Sequence, residues 1–147
     1  MTHPASATAI GEIFSTIIDG GDYDEIARYF TSDYIDHSAV GDLHNPEAFA
    51  GMLEGFRAAM PGFRHDVSDL TLIGDEMAVW QVHLIASFTG EFMGTLGAGQ
   101  PVEVWVANAA QFAEDGRIRE HWGLGQDGLN QMLAQMGIVA ASTAPAR

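Results

Sequence analysis

The hydrophobic pattern changes from a helical period to alternation near Gly62, and that change decides the fold class. Before it, residues 7–18 place Ile10, Ile13, Phe14, Ile17 and Ile18 at the i, i+3, i+4, i+7, i+8 spacing of one helix face, and Gly20-Gly21 ends the run. Asp22 with Glu25 three residues on reads as a capping box for a short second helix bearing Ile26, Tyr29 and Phe30. A brief extended piece, Tyr34-Ile-Asp-His37, follows. Asn45-Pro46-Glu47 reads as cap, first-turn proline and first-turn acid of a third helix. Its Phe49, Met52, Leu53 and Phe56 share a face before Pro61-Gly62 stops it.

Beyond Gly62 the period is two. Segments near 63–73, 77–88, 102–112 and 117–123 read as strands, separated by turn signals at Gly74-Asp75, Gly94 to Gly99 and Asp115-Gly116. Connections this short imply an antiparallel meander. Met132, Leu133 and Met136 then mark a last amphipathic helix that Gly137 ends. Helices first and a long sheet second is an α+β arrangement, in which the helices must cover the sheet's apolar face. The expected architecture is a cone-shaped, curved antiparallel sheet, a barrel closed by the N-terminal helices, with an internal cavity as the ligand site. The chain reads as one domain over 1–139 with a frayed tail at 140–147.

Composition removes several chemistries. The 147 residues include no cysteine, which excludes disulfides, thiolate nucleophiles and zinc-thiolate sites. Lysine is absent as well, so no Schiff base can form through a side-chain amine. The six histidines show no HxH or HExxH spacing, and no P-loop or GxSxG stretch occurs, so neither metal nor cofactor is expected. A net charge of -14 repels nucleic acid and anionic membrane. The N-terminal residues lack a basic segment followed by an apolar run, and the most apolar stretch, 77–88, is broken by Gln81 and His83. A soluble, cytoplasmic protein is the expectation.

Four stretches carry a family likeness: Tyr34-Ile-Asp-His37, Phe56-Arg-Ala-Ala-Met-Pro-Gly-Phe63, Thr89-Gly-Glu-Phe-Met-Gly94 and Asp115-Gly-Arg-Ile-Arg-Glu-His-Trp122. In order and spacing, from about Ile10 to Gly137, the chain resembles the SnoaL-like polyketide cyclases of the nuclear transport factor 2-like superfamily. The resemblance implies a dimeric cone that binds a hydrophobic small molecule. Its known aldol cyclases close a ring of an aromatic polyketide without cofactor, using a side-chain carboxylate as acid and base. At the chemistry the chain departs from the family. The cyclase aspartate two residues after the His121 position is Gly123 here, the glutamine-X-histidine pair of the preceding strand falls on Val106 and Asn108, and an asparagine of the third helix falls on Met52. Other members carry an aspartate a few residues beyond the His-Trp pair, and Asp127 is the residue here that would replace it.

Strand alternation puts Arg119, His121 and Gly123 on one face and Ile118, Glu120 and Trp122 on the other. With His121 inward by the resemblance, Arg119 shares the cavity. His121 would serve as acid, base or polarising group and Arg119 would hold an oxyanion. The structural alternatives are a histidine bonded within the sheet and an arginine snorkelling to the mouth. His37 stands at the family's usual histidine position, with Asp36 turned the other way, and is either functional or a satisfied histidine between helix and sheet. Asn108 alternates with Val104, Val106 and Ala110, and must bond a neighbouring strand group or a ligand carbonyl. Tyr34, Met52, Phe56, Val104 and Val106 are the expected substrate contacts. Trp105 and Trp122 have the opposite parity and are assigned to an outer, dimer-forming face. Met52, Met60, Met77, Met93, Met132 and Met136 read as adaptable core or pocket filler. Together these point to a cofactor-independent cyclase acting by preorganisation and carbonyl polarisation, aldol-type or cycloaddition. The alternatives are an isomerase or epoxide-opening enzyme of the same superfamily, or a non-catalytic ligand-binding protein.

Overall fold

The first helix begins as expected and then changes type. The computed structural model describes residues 6–38, 41–124 and 127–138. In it, α1 (Ser6–Glu12) runs directly into a π-helical turn, Ile13–Ile18, whose last bond is Asp19 N to Phe14 O at 2.8 Å. Every member of the apolar stripe from Ile10 to Ile18 is buried. Each such side chain contributes about 1.5–3 kcal/mol by leaving water. The carbonyls at the end of this turn are taken by Arg57, which donates from Nη2 to Ile18 O at 2.6 Å and from Nη1 to Asp19 O at 3.2 Å. Asp22 makes no side-chain cap. The second helix is instead a 3-10 turn, Tyr23–Glu25, leading into one turn of α2 (Ile26–Tyr29).

The extended piece is longer than its sequence signal: β1 spans Phe30–Ser38, and β2 (Gly41–His44) folds back on it. In α3 (Pro46–Ala59), Asn45 Oδ1 accepts from Ala48 N at 2.9 Å, so the cap and first-turn proline behave as read. The strands β3 (Arg64–Ile73), β4 (Met77–Phe88), β7 (Gln100–Phe112) and β8 (Ile118–Leu124) form the expected meander. The connection after β4 carries its own small hairpin, β5 (Glu91–Phe92) with β6 (Thr95–Leu96). That excursion docks on the end of α3, where Thr89 N and Gly90 N both donate to Ala59 O. Met93 sits in this exposed hairpin, and so is not core filler.

The order β2-β1-β8-β7-β4-β3 gives a curved six-stranded sheet in an α+β fold, with two departures from the expectation. First, β1 runs parallel to β8, so the sheet is mixed. A parallel neighbour needs a long crossover, and the chain between β1 and β8 supplies it. Second, the sheet does not close on itself: β2 and β3 are its edges, and α1 and α3 pack against the strands at those edges. The helix α4 (Asp127–Gln135) lies against β7. Two adjoining apolar clusters result, one around Ile13, Phe14, Tyr34, Phe49 and Trp80, the other around Met60, Phe63, Val104, Met132 and Met136. No helix among the described residues is long and apolar enough to cross a membrane. The tail at 140–147 lies outside the described residues.

Candidate active site

Between the sheet's inner face and the helices lies a cavity of about 240 Å³, lined from the sheet by Trp80, Val82, Val104 and Val106 and from the helices by Ile13, Phe14, Met52 and Phe56. Tyr34 also lines it, so all five expected substrate contacts reach this one space. A chain of hydrogen bonds crosses its otherwise apolar wall. Asp36 and His121 are register partners across the parallel β1–β8 pair, and Asp36 Oδ1 lies 3.1 Å from His121 Nδ1. The other ring nitrogen, Nε2, lies 2.8 Å from Asn108 Oδ1. The Asn108 amide is oriented by its own Nδ2, which donates to Val106 O at 3.1 Å. Tyr34 closes the far end, its hydroxyl donating to Asp36 Oδ2 at 3.1 Å.

This arrangement fixes the chemistry of its members. Both nitrogens of His121 face side-chain oxygens, one of a carboxylate and one of an amide, so neither is left open to the cavity. Asp36 is 2 % exposed, and its charge is matched by that ring and by the Tyr34 hydroxyl. Burial pushes the Tyr34 phenol well above its usual 10, with the Asp36 charge and hydrogen bond adding to the effect, so the hydroxyl remains a donor. The Tyr34 ring is held edge-on against Phe30 and Phe49, at 4.6 and 5.7 Å.

Two expected site residues face away from the cavity. His37 projects from the outer side of β1, with Nε2 2.7 Å from Glu120 Oε2, Nδ1 3.0 Å from Asp42 Oδ1, and its ring stacked on Trp122 at 5.3 Å. Alternation along β1 decides this, since burying Tyr34 and Asp36 turns His37 out. Its titration is raised above 6.5, chiefly by the Glu120 bond and further by Asp42, against a smaller opposing effect of burial. Arg119 is exposed. In β8, Glu120 pairs with Gln111 and Ile118 with Phe112, so Arg119 is an extra, unpaired residue. This bulge breaks the strand's alternation and lets Ile118, His121 and Gly123 all line the cavity while Arg119 does not. The side chain of Asp127, which opens α4, lies outside the described residues. Trp105 and Trp122 are on the outer face, Trp105 being 57 % exposed and stacked on His83 at 4.0 Å. Among the described residues, no three His, Asp or Glu side chains converge to hold a metal.

Sequence reasoning turned Asp36 the opposite way from an inward His37, where the structure has Asp36 inward, and it passed over His65 and Trp80. Parity carried the signal for each. Asp36 shares the face of Tyr34, His65 sits between Phe63 and Val67, and Trp80 sits between Ala78 and Val82. The buried Trp80 Nε1 has no hydrogen-bond partner among the described residues.

A model of the SnoaL-like polyketide cyclases matches residues 8–135. The chain belongs to the SnoaL-like polyketide cyclase family. Among solved structures similar to it, IdmH of Streptomyces antibioticus, a candidate polyketide cyclase, is 25 % identical with a TM-score of 0.74, over 90 % of this chain and 99 % of that one. A candidate SnoaL-like polyketide cyclase of Jannaschia sp. CCS1 is 22 % identical with a TM-score of 0.71, over 96 % and 93 %. AclR of Streptomyces galilaeus, a candidate hydroxylase, is 20 % identical with a TM-score of 0.76, over 95 % and 89 %. No curated protein matches the chain. At such identities the SnoaL-like fold is what is shared, and its chemistry must be read from the site.

Proposed function

We propose that the protein is a cofactor-independent cyclase that folds a flexible, mostly apolar polyketide-type intermediate in its cavity and promotes ring closure by preorganisation and carbonyl polarisation. One observation carries this reading. Trp80 and Asn108 stand directly opposite each other in the β4–β7 ladder and both line the cavity; the Trp80 N–H is buried away from it, while Asn108 Nδ2, bonded once to Val106 O, keeps a second N–H. Opposed side chains on one sheet face have their Cβ atoms about 4.5–5.5 Å apart. A carbonyl oxygen seated against the Trp80 ring accepts from the Asn108 N–H, which relieves an unmet donor costing about 1–3 kcal/mol. The bond from His121 Nε2 to Asn108 Oδ1 polarises the amide and strengthens its remaining N–H as a donor.

Holding two ends of a chain together in an apolar space contributes on the order of 7–11 kcal/mol to a ring closure. Polarisation at Asn108 then serves either an aldol-type closure or a cycloaddition. Epoxide opening or isomerisation wants a carboxylate free to act, whereas Asp36 has one oxygen engaged by His121 and the other by Tyr34. The reading includes a homodimer formed on the outer sheet face around Trp105 and Trp122, since large exposed apolar groups mark partner surfaces.

The test is turnover of a linear aromatic polyketone. The proposal expects a ring-closed product, of unchanged mass for a cycloaddition or lighter by one water for an aldol closure with dehydration. A stoichiometric complex that returns the polyketone unaltered would make the protein a binding module.

A further inference from the structure

His121, the histidine that the family likeness places in the cavity, has no ring nitrogen free to take a proton from a substrate. A second histidine on the same cavity does. His65, near the start of β3, lines the space, and its Nδ1 lies 2.6 Å from Asp19 Oδ1. The other oxygen of Asp19 accepts from the His65 main-chain N–H at 2.9 Å. One carboxylate therefore grips both backbone and ring, which fixes the ring's position and sets Nδ1 as the protonated nitrogen. The ring is packed between Phe63, edge-on at 5.0 Å, and Phe14 at 5.6 Å. Its Nε2 has no hydrogen-bond partner among the described residues.

The local fold aims Asp19 at His65. The π-helical turn ends at Asp19, and Arg57 holds the carbonyls of Ile18 and Asp19. A π-turn at this point fits the frequent use of such turns at functional sites. Phe14 lies between the two histidine positions, 6.3 Å from Trp80, whose ring in turn lies 5.9 Å from that of His121. Trp80 and Asn108 thus line the same space as His65.

We propose that Asp19 and His65 form the acid–base pair of this cavity, with His65 Nε2 as the base that enolises a ketone bound at Asn108, and Asp19 as its positioning residue. This rests on the cyclase reading and assigns its proton transfer. The Nε2 lone pair takes a proton from the carbon beside the carbonyl: the C–H bond breaks, an N–H bond forms, and the released electron pair gives an enolate whose oxygen accepts from Asn108. The enolate carbon bonds to a second carbonyl carbon of the same molecule, and the proton on Nε2 returns to the new alkoxide oxygen. No outside oxidant, reductant or co-reactant is involved.

The probe is 2-tetralone in D2O, with binding followed by ligand NMR and α-deuteration by mass spectrometry. The wild type is expected to bind it and to accelerate exchange, while H65Q binds comparably and loses acceleration by about a hundredfold or more. D19N should lose less, and in long-range proton–nitrogen spectra it should release the neutral His65 ring from the Nδ1–H tautomer seen in the wild type. Binding without acceleration, or acceleration that survives in H65Q, overturns the assignment of His65 and leaves the cyclase reading standing. A neutral ring protonated on Nε2 in the wild type overturns it independently of any substrate. A wild-type cavity that fails to bind the ketone overturns the cyclase reading and this proposal with it.

Discussion

His121 Nδ1 lies 3.1 Å from Asp36 Oδ1 while its Nε2 lies 2.8 Å from Asn108 Oδ1, so one imidazole ties a buried carboxylate to the amide that faces the cavity. Removing one member of such a pair leaves a charge without its partner. H121A is expected to lower stability by about 3–5 kcal/mol at neutral pH. Pairing it with D36N should recover much of that loss, because the charge is then gone. Chemical unfolding of the wild type, both single variants and the double variant checks this. Additive losses would mean that the two side chains are not coupled.

Tyr34→Phe keeps the ring against Phe30 and Phe49 and removes only the hydroxyl on Asp36 Oδ2. The expected cost is about 1–3 kcal/mol, that of an unsatisfied buried acceptor. Urea unfolding reads it, and a change within error would show that the carboxylate finds another donor.

Gly123 lines the cavity on β8, and a Cβ added there meets nothing within 4 Å. Gly123→Asp should therefore fold with nearly wild-type stability. It also places a carboxylate where SnoaL-like aldol cyclases carry theirs, and aldol-type turnover of a linear polyketone should rise. Unfolding of the variant, or unchanged turnover in a folded one, contradicts this.

The outer histidine sets a pH dependence. Because Glu120 and Asp42 raise the titration of folded His37 above its ordinary 6.5, its contribution to stability is complete below about pH 6.5 and is lost as pH rises through the raised value. At a partly exposed site this amounts to about 1 kcal/mol or less. Thermal melts of the wild type should fall relative to those of H37Q over that interval. Parallel curves would remove the ion pair from the account.

Helix faces, the Asn45 cap and the four-strand meander were legible because each rests on spacing within one segment: Ile10 to Ile18, Asn45 to Ala48, and the alternation through β4 and β7. What sequence could not show depended on neighbours distant in the chain. The pairing of β1 with β8, which brings Asp36 to His121, is one case. The extra residue at Arg119 is another, because a bulge is defined by its partner strand and reversed the parity on which the placement of Arg119 rested. His37 followed the family likeness, whereas the burial of Tyr34 fixes the face and turns Asp36 inward. His65 gave a signal only as one polar residue in the row Phe63, His65, Val67, and its carboxylate comes from the end of a helical turn 46 positions earlier.

The central claim is that Asn108 polarises a carbonyl in the cavity, and the infrared stretch of a carbonyl-13C aromatic ketone bound there tests it most directly. The account predicts a band in the wild type well below that of the same ketone in hydrocarbon solvent, moving back toward the hydrocarbon value in Asn108→Leu with binding retained. A hydrocarbon-like band in the wild type, or one that does not move in the variant, would contradict it.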